Sequence, residues 1–138
     1  MHLLLISILY LLQTHQVSSN QYSITVEVTN LSSQKGAIRL ALCENPEDWL
    51  SVDAAVTKEF RLEGKENCVL TFKNIPKGTY AISLYHDEND NGAMDLGPMR
   101  IPEEAYGFSN NPAIVFGPPS FEEASFLLDK NLSLTITL

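Results

Sequence analysis

The sequence predicts an all-β fold, a seven-stranded antiparallel Greek-key β-sandwich with one long ordered loop. Apolar and polar residues alternate along short segments, which is the period of a strand with one buried face. Turn-forming residues separate these segments at short intervals, as they do in sandwiches. The chain has 138 residues, a length that suggests one domain. We therefore expect a single β-sandwich over residues 20–138.

The first two predicted strands show the alternation most simply. Apolar residues occupy every second position of residues 22–30, beginning at Ile24, and of residues 37–43, beginning at Ile38. A polar segment at residues 31–36 separates the two strands and ends in glycine, which favours a turn.

Three further strands follow in the middle of the chain. Residues 56–62 and 67–73 are expected to be strands on either side of the turn Glu63-Gly64-Lys65. Residues 79–86 follow a turn at 74–78 that contains both proline and glycine, and they alternate between apolar and smaller or polar side chains.

The last two predicted strands, residues 123–128 and 132–138, flank a polar turn at 129–131. Between the fifth and sixth strands lies the long loop, residues 87–121, which is rich in Gly, Pro, Asn and Asp. Loops of this length inside a compact domain are uncommon and are usually functional. We therefore look for the site in this segment.

Residues 1–19 are predicted to be a secretory signal peptide. Their apolar run of about 10 residues matches the core of such a peptide and is too short for a membrane span, which needs about 20 residues. Small residues at Val17-Ser18-Ser19 offer a cleavage site before Asn20. We expect a secreted, periplasmic or cell-surface protein without a membrane span.

The charge balance excludes one class of partner. The chain has 9 Lys and Arg against 17 Asp and Glu, a formal net charge of −8. Nucleic-acid binding depends on many cationic contacts to phosphates, so we expect no nucleic-acid partner. A cation is the more natural ligand of such a chain.

A calcium site is predicted in the long loop. The letters DENDNG at residues 87–92 match the first half of a calcium loop, in which alternate side chains point at one centre and glycine permits the sharp turn. Pro98 stands where such a loop needs a bidentate glutamate, so the missing ligand must come from farther along. The predicted ligands are Asp87, Asn89, Asn91, the carbonyl of Ala93, Asp95, and Glu103 or Glu104. The alternative is an Asn- and Asp-rich turn held by its own hydrogen bonds.

The two cysteines, Cys43 and Cys68, are expected to form a disulfide in an exported domain. Strand parity argues against the pair, because Cys68 shares a face with the inward residues Leu70 and Phe72 whereas Cys43 shares one with Arg39. Two free thiols are therefore the alternative.

A ligand surface is predicted at Tyr106, Phe108, Asn110 and Asn111, facing an unknown protein, peptide or carbohydrate. The alternative for the aromatic residues is that they plug one open end of the sandwich.

We expect a non-enzymatic protein. His86 and Ser109, with an aspartate, supply the residue types of a hydrolase triad, but their spacing matches no nucleophile motif. A small hydrolase using His86 and loop carboxylates remains one alternative to a binding domain, and a purely structural or assembly module is another.

Several blocks of the sequence resemble a known family. The turn FKNIPKGTYA at 72–81 resembles the transthyretin-like and carboxypeptidase-regulatory-like sandwiches. The blocks YHDENDNG at 85–92, IPEEAYGFSNN at 101–111 and GPPSFEEA at 117–124 resemble the bacterial domain of unknown function family 2141. The resemblance implies export and a β-sandwich but no established activity. Arg100 and Ala105 stand where the resemblance leads us to expect glycine.

Overall fold

The fold consists of two facing β-sheets, seen in a computed structural model that describes residues 20–51, 53 and 55–138. The predicted signal peptide, residues 1–19, lies outside these described residues. The described part contains no helix that is both long and apolar enough to cross a membrane.

The smaller sheet has three strands in the order β4-β1-β8. Its strands are β1 (Gln21–Thr29), β4 (Cys68–Pro76) and β8 (Leu132–Thr137). Strand β1 is antiparallel to β4 but parallel to β8. The first and last strands of the described chain therefore lie side by side.

The larger sheet has five strands, with β3-β2-β5-β6 in order and β7 also paired with β5. Its strands are β2 (Ala37–Cys43), β3 (Val56–Arg61), β5 (Gly78–Asp87), β6 (Tyr106–Phe108) and β7 (Ser125–Leu128). Strands β6 and β7 pair with successive parts of β5. All pairings in this sheet are antiparallel.

The all-β prediction is confirmed, but two details of it are wrong. The described residues form eight strands, because the long loop contributes the short strand β6. The sheets are not wholly antiparallel, because alternation reveals which face of a strand is buried but not the direction of its neighbour. The Greek-key connectivity stays a prediction.

The predicted sixth strand begins later than we expected. Residues Phe121–Ala124 form a short helix, α1, before β7. The hydroxyl of Ser120 accepts a hydrogen bond from the main-chain N–H of Glu123, and the Glu123 carboxylate accepts one from the N–H of Ser120. This reciprocal capping box starts a helix in a segment whose apolar pattern suggests a strand.

The disulfide prediction is wrong, because both cysteines are free and buried in different places. Cys68 lies in the main core between the two sheets, with Phe72 and Ile24. Cys43 lies on the outer face of the larger sheet, in a second apolar cluster with Phe108 and Phe121. Strand parity therefore predicted correctly that the two cysteines face different sides. The larger sheet separates them.

Candidate functional site

A groove lies on the outer face of the larger sheet, and the pairing of its strands explains its depth. Ala41 on β2 is opposite Thr57 on β3 and opposite Ser83 on β5. These three small side chains form a row across the sheet on the face that points away from the main core. Because they fill little space, they leave a trough between rows of larger residues.

The neighbouring row contains the larger side chains. Arg39 is opposite Glu59 on one side and Tyr85 on the other, and Tyr85 is in turn opposite Tyr106. Phe108 extends the row of small residues beyond Ser83 and closes that end.

We call this space the outer-face groove. It encloses about 980 Å³, at the upper end of the range of small-molecule sites. One wall comes from the segment 92–102 of the long loop, and other parts of the lining come from Leu50, Ser51 and Ala55 and from residues 117–118. The wall side chains are mostly apolar, and Met99 is 92% exposed. The apolar wall residues are Leu50, Met94, Met99, Ile101, Pro102 and Pro118.

Arg39 connects the row of larger side chains to the start of the long loop. Its guanidinium donates to Asp87 Oδ2 at 2.6 Å, to Asp90 Oδ1 at 3.1 Å, and to the carboxylate of Glu59. Arg61 pairs with two of these three carboxylates, those of Glu59 and Asp90. All three arms of the Arg39 guanidinium are thus used by the protein itself.

Asp87, the first predicted calcium ligand, is fully buried. Its carboxylate accepts the main-chain N–H of Asn91 at 3.0 Å and that of Gly92 at 2.9 Å, besides the Arg39 bond. Burial alone would raise the pKa of Asp87, but the Arg39 and main-chain hydrogen bonds outweigh it and hold this pKa below its ordinary value. The result is a tight turn closed on an ionised carboxylate.

Four of the other predicted ligands also come together. Asp95 accepts hydrogen bonds from the side-chain amides of Asn89 at 2.6 Å and Asn91 at 2.8 Å. The main-chain N–H of Asp95 donates to Glu104 Oε2 at 3.1 Å. In the part of the chain that the structure describes, neither Asp95 nor Glu104 forms an ion pair with a protein cation.

One oxygen of Glu104 stands out, because Oε1 is buried and has no hydrogen-bond partner among the described residues. Burial raises the pKa of Glu104, and the nearby charges of Asp95 and Asp87 add to the effect, although the main-chain bond from Asp95 opposes it. This carboxyl group therefore lacks a hydrogen-bond partner at one of its two oxygens.

The remaining two predicted ligands lie at the edge of this cluster. The main-chain N–H of Ala93 donates to Asn91 Oδ1 at 3.0 Å. Glu103 is exposed, and its carboxylate lies beside Gly97. Among the described residues, no group of three or more His, Cys, Asp and Glu side chains is arranged to hold a metal ion.

The predicted ligand surface divides into two parts. Tyr106 and Phe108 line the outer-face groove. Asn110 instead donates to the carbonyls of Glu123 and Ser125, and Asn111 exchanges hydrogen bonds with the main chain of β8 at Thr135 and Thr137. These two amides fasten the end of the long loop to the sandwich.

His86 and Ser109 are not brought together. His86 is fully buried, with Nε2 at 2.8 Å from the Lys35 carbonyl and Nδ1 at 3.3 Å from Ser32 Oγ. The hydroxyl of Ser109 is also buried and bonds to the main chain of Ile82 and Ala124. Both polar side chains serve the fold at these positions.

The sequence analysis missed a small polar cluster around His86. Ser32 Oγ donates to Glu88 Oε1 at 2.5 Å, and Ser33 donates to the other oxygen at 3.0 Å. The Ser32 bond holds the pKa of Glu88 below its ordinary value. In a hydrolase triad the acid would orient the histidine, whereas here Glu88 accepts hydrogen bonds from the hydroxyls of Ser32 and Ser33.

The floor of the groove was also missed, although the sequence carries a signal for it. Ala41, Thr57 and Ser83 each stand at a position of their strand that faces away from the core. All three are unusually small for that face. Only the register between strands shows that the three form one row, and register cannot be obtained from the alternation alone.

Comparison with known proteins identifies the family. No curated protein and no solved structure gives a significant match. A family model described as an uncharacterized protein conserved in bacteria (DUF2141) matches residues 26–136. This match covers all eight strands except the first five residues of β1 and the last residue of β8. The chain therefore belongs to the bacterial DUF2141 family, as the three sequence blocks in and beside the long loop led us to expect.

Proposed function

We propose that the protein is an exported, non-enzymatic binding domain that holds an apolar ligand in the outer-face groove. The observation that carries the proposal is the row Thr57, Ala41 and Ser83, which leaves a space of about 980 Å³ on a sheet face otherwise covered by large side chains. A pocket of this size with apolar walls is the default binding site of a domain. The exposed side chains of Met99 and Ile101 would be covered by an occupant.

The test is a titration with N-phenyl-1-naphthylamine, a neutral apolar dye whose fluorescence rises in apolar surroundings. We expect saturable binding of about one dye per chain. The variant Ser83→Leu should weaken binding about tenfold or more, because a leucine fills the trough. The matched control is Ser133→Leu, which places the same side chain at an exposed position on β8 in the other sheet. Equal binding by wild type and both variants would exclude the groove as the dye site.

We also propose that calcium binds the long loop beside this groove, through Asp95, Glu104, Asn89 and Asn91. Two observations support this ion. Asp95 and Glu104 carry negative charge without a protein cation in the described chain, and Glu104 Oε1 is buried without a partner. Carboxylate and amide oxygens are the ligands that calcium prefers. Calcium would replace the amide hydrogens that now contact Asp95.

Thermal unfolding with and without calcium tests this second proposal. We expect weak binding, on the order of 10⁻⁴–10⁻³ M as in extracellular modules. At ten times the Kd, calcium should stabilise the wild type by about 1.4 kcal/mol, which raises the Tm by a few degrees. The response should disappear in Glu104→Gln and persist in Glu103→Gln, because only the first removes the buried carboxylate. If chelation leaves the wild-type Tm unchanged at millimolar calcium, the loop is an Asn- and Asp-rich turn instead.

A further inference from the structure

From the chemistry of the outer-face groove we infer its ligand class: a single-chain amphiphile with one negative charge, of which a long-chain fatty acid is the simplest example. This inference rests on the proposed binding function of the groove. It follows from three features of the site. The main-chain groups of its central strands are already paired, its walls are mostly apolar, and the cation at its rim, Arg100, pairs with no acidic side chain of the described residues.

The two central strands of the groove floor, β2 and β5, cannot bind a peptide through their main chain. Strand β2 is paired with β3 on one side and β5 on the other, and β5 is paired with β2 and with β6 and β7. Their N–H and C=O groups are therefore used within the sheet. An extended peptide depends on such groups for much of its affinity, whereas a hydrocarbon chain needs none of them.

A carbohydrate is also a poor match, because it needs many convergent hydrogen-bonding groups. Of the charged side chains along the floor, Arg39 and Glu59 are paired with each other, and Arg39 also pairs with the long loop. The ammonium of Lys58 lies over the Phe72 ring, 5.5 Å from its centroid. The aromatic rings at the end of the groove are packed against one another, with Tyr106 and Phe108 at 5.8 Å and Trp49 and Phe108 at 5.9 Å between ring centroids. The rest of the lining is mostly apolar, and it includes two methionines whose flexible thioethers adapt to a hydrocarbon chain.

Arg100 provides the charge complement at the rim. It lies in the groove wall between Met99 and Ile101, and it forms no ion pair with any residue that the structure describes. Both Met99 and Arg100 have positive φ, 58° and 60°, a conformation that costs a non-glycine residue free energy and that is often found at ligand sites. A carboxylate beside this guanidinium would leave its hydrocarbon chain over the small residues of the floor.

The charge of the whole chain favours a single ligand molecule over a membrane surface. A protein with a net charge of −8 is repelled by an anionic bilayer. A single carboxylate bound directly to Arg100 is not subject to this repulsion, because the contact is local. We therefore assign the groove to monomeric ligand.

Displacement of bound N-phenyl-1-naphthylamine tests the ligand class. Dodecanoate at pH 8 and 1-dodecanol, both below their aggregation limits, differ only in the charged head. We expect dodecanoate to compete with the dye, and 1-dodecanol to compete about twofold to fivefold more weakly, the range expected of an exposed charge pair. In Arg100→Gln this preference should disappear. The control Lys130→Gln removes one positive charge from the β7–β8 turn and should retain the preference.

The outcomes separate this inference from the proposed function. If the dye does not bind, or if Ser83→Leu binds it as the wild type does, the proposed function of the groove fails. If the dye binds in the groove but dodecanoate does not displace it, or competes no better than 1-dodecanol, only the ligand class is wrong. Sedimentation of the protein with phosphatidylglycerol vesicles, without displacement of dye by monomeric dodecanoate, would assign the surface to membranes and overturn the inference.

Discussion

Cys43 and Cys68 show how the environment of a side chain decides its chemistry. Cys68 is enclosed by the main core, and burial raises the pKa of its thiol to about 11. Cys43 is also buried, and burial raises its pKa although a main-chain hydrogen bond with Asn45 opposes the shift. Because the thiolate is the reactive form, both cysteines are protected from oxidation while the fold is intact.

We therefore expect two free thiols in unreduced protein. A thiol reagent at pH 8 should react with about two groups per chain after denaturation and much more slowly with the native protein. A reducing agent should leave the Tm unchanged, because it has no disulfide to break. The absence of free thiols in denatured, unreduced protein would instead restore the disulfide that we expected of an exported domain.

The elements of the fold differ in how far the sequence predicts them. Strands β1, β2 and β5 are predicted almost to the residue, because each has one face in the core and a clear turn before or after it. Strand β6 is not predicted, because its three residues Tyr106–Phe108 are too short for alternation to be recognised. The helix α1 depends on a local capping box, which competes with the apolar pattern around it.

Only the local part of the candidate site could be predicted from the sequence. The spacing of Asp87, Asn89 and Asn91 determines a local turn, so the sequence is sufficient to identify it. The outer-face groove joins β3, β2, β5 and the long loop, which are far apart in the chain. Its shape depends on register and on loop packing, and neither is a local property.

A close contact between two elements positions the start of the long loop. Gly36, just before β2, has a φ of 66°, and a side chain there would place Cβ only 2.0 Å from the carbonyl oxygen of Asp87 at the end of β5. The turn before β2 thus touches the main chain at the first residue of the proposed calcium loop. Only glycine satisfies both the backbone angle and the contact.

The variant Gly36→Ala tests this contact, with Gly64→Ala as its control. Gly64 has a φ of 82° and nothing within 4 Å of an added Cβ, so its replacement should cost about 1–2 kcal/mol for backbone conformation alone. Gly36→Ala should cost at least about 2 kcal/mol more, because main chain must move. Urea unfolding measures both free energies. Equal losses would show that the contact relaxes without strain.

At the scale of the whole molecule, the long loop serves two sites. Residues from Asp87 to Glu104 include the proposed calcium ligands, and residues 92–102 of the same segment form a wall of the outer-face groove. Arg39 joins the groove to the start of the same loop, because it lines the groove and bonds to Asp87 and Asp90. An ion that fixes the loop would therefore fix the groove wall, and the two binding equilibria should be coupled.

We expect calcium to tighten binding of N-phenyl-1-naphthylamine by about fivefold, the lower part of the usual range of coupling. Dye titrations in millimolar calcium and in chelator measure this ratio, and the dye should tighten calcium binding by the same factor. Glu104→Gln should bind the dye equally well in both buffers, whereas Glu103→Gln should behave as the wild type. Dye affinity independent of calcium in the wild type would show that the two sites are separate.

The parallel pairing of β1 and β8 has a mechanical consequence. The two strands run side by side over six pairs, from Ile24 with Leu132 to Thr29 with Thr137. The start of β1 and the end of β8 therefore lie at opposite ends of the pair. A force that pulls these ends apart acts along the strands and loads their hydrogen bonds in shear, all at once. An antiparallel pair pulled from the same end would open one bond at a time. The domain is thus built to resist stretching between its first and last strands.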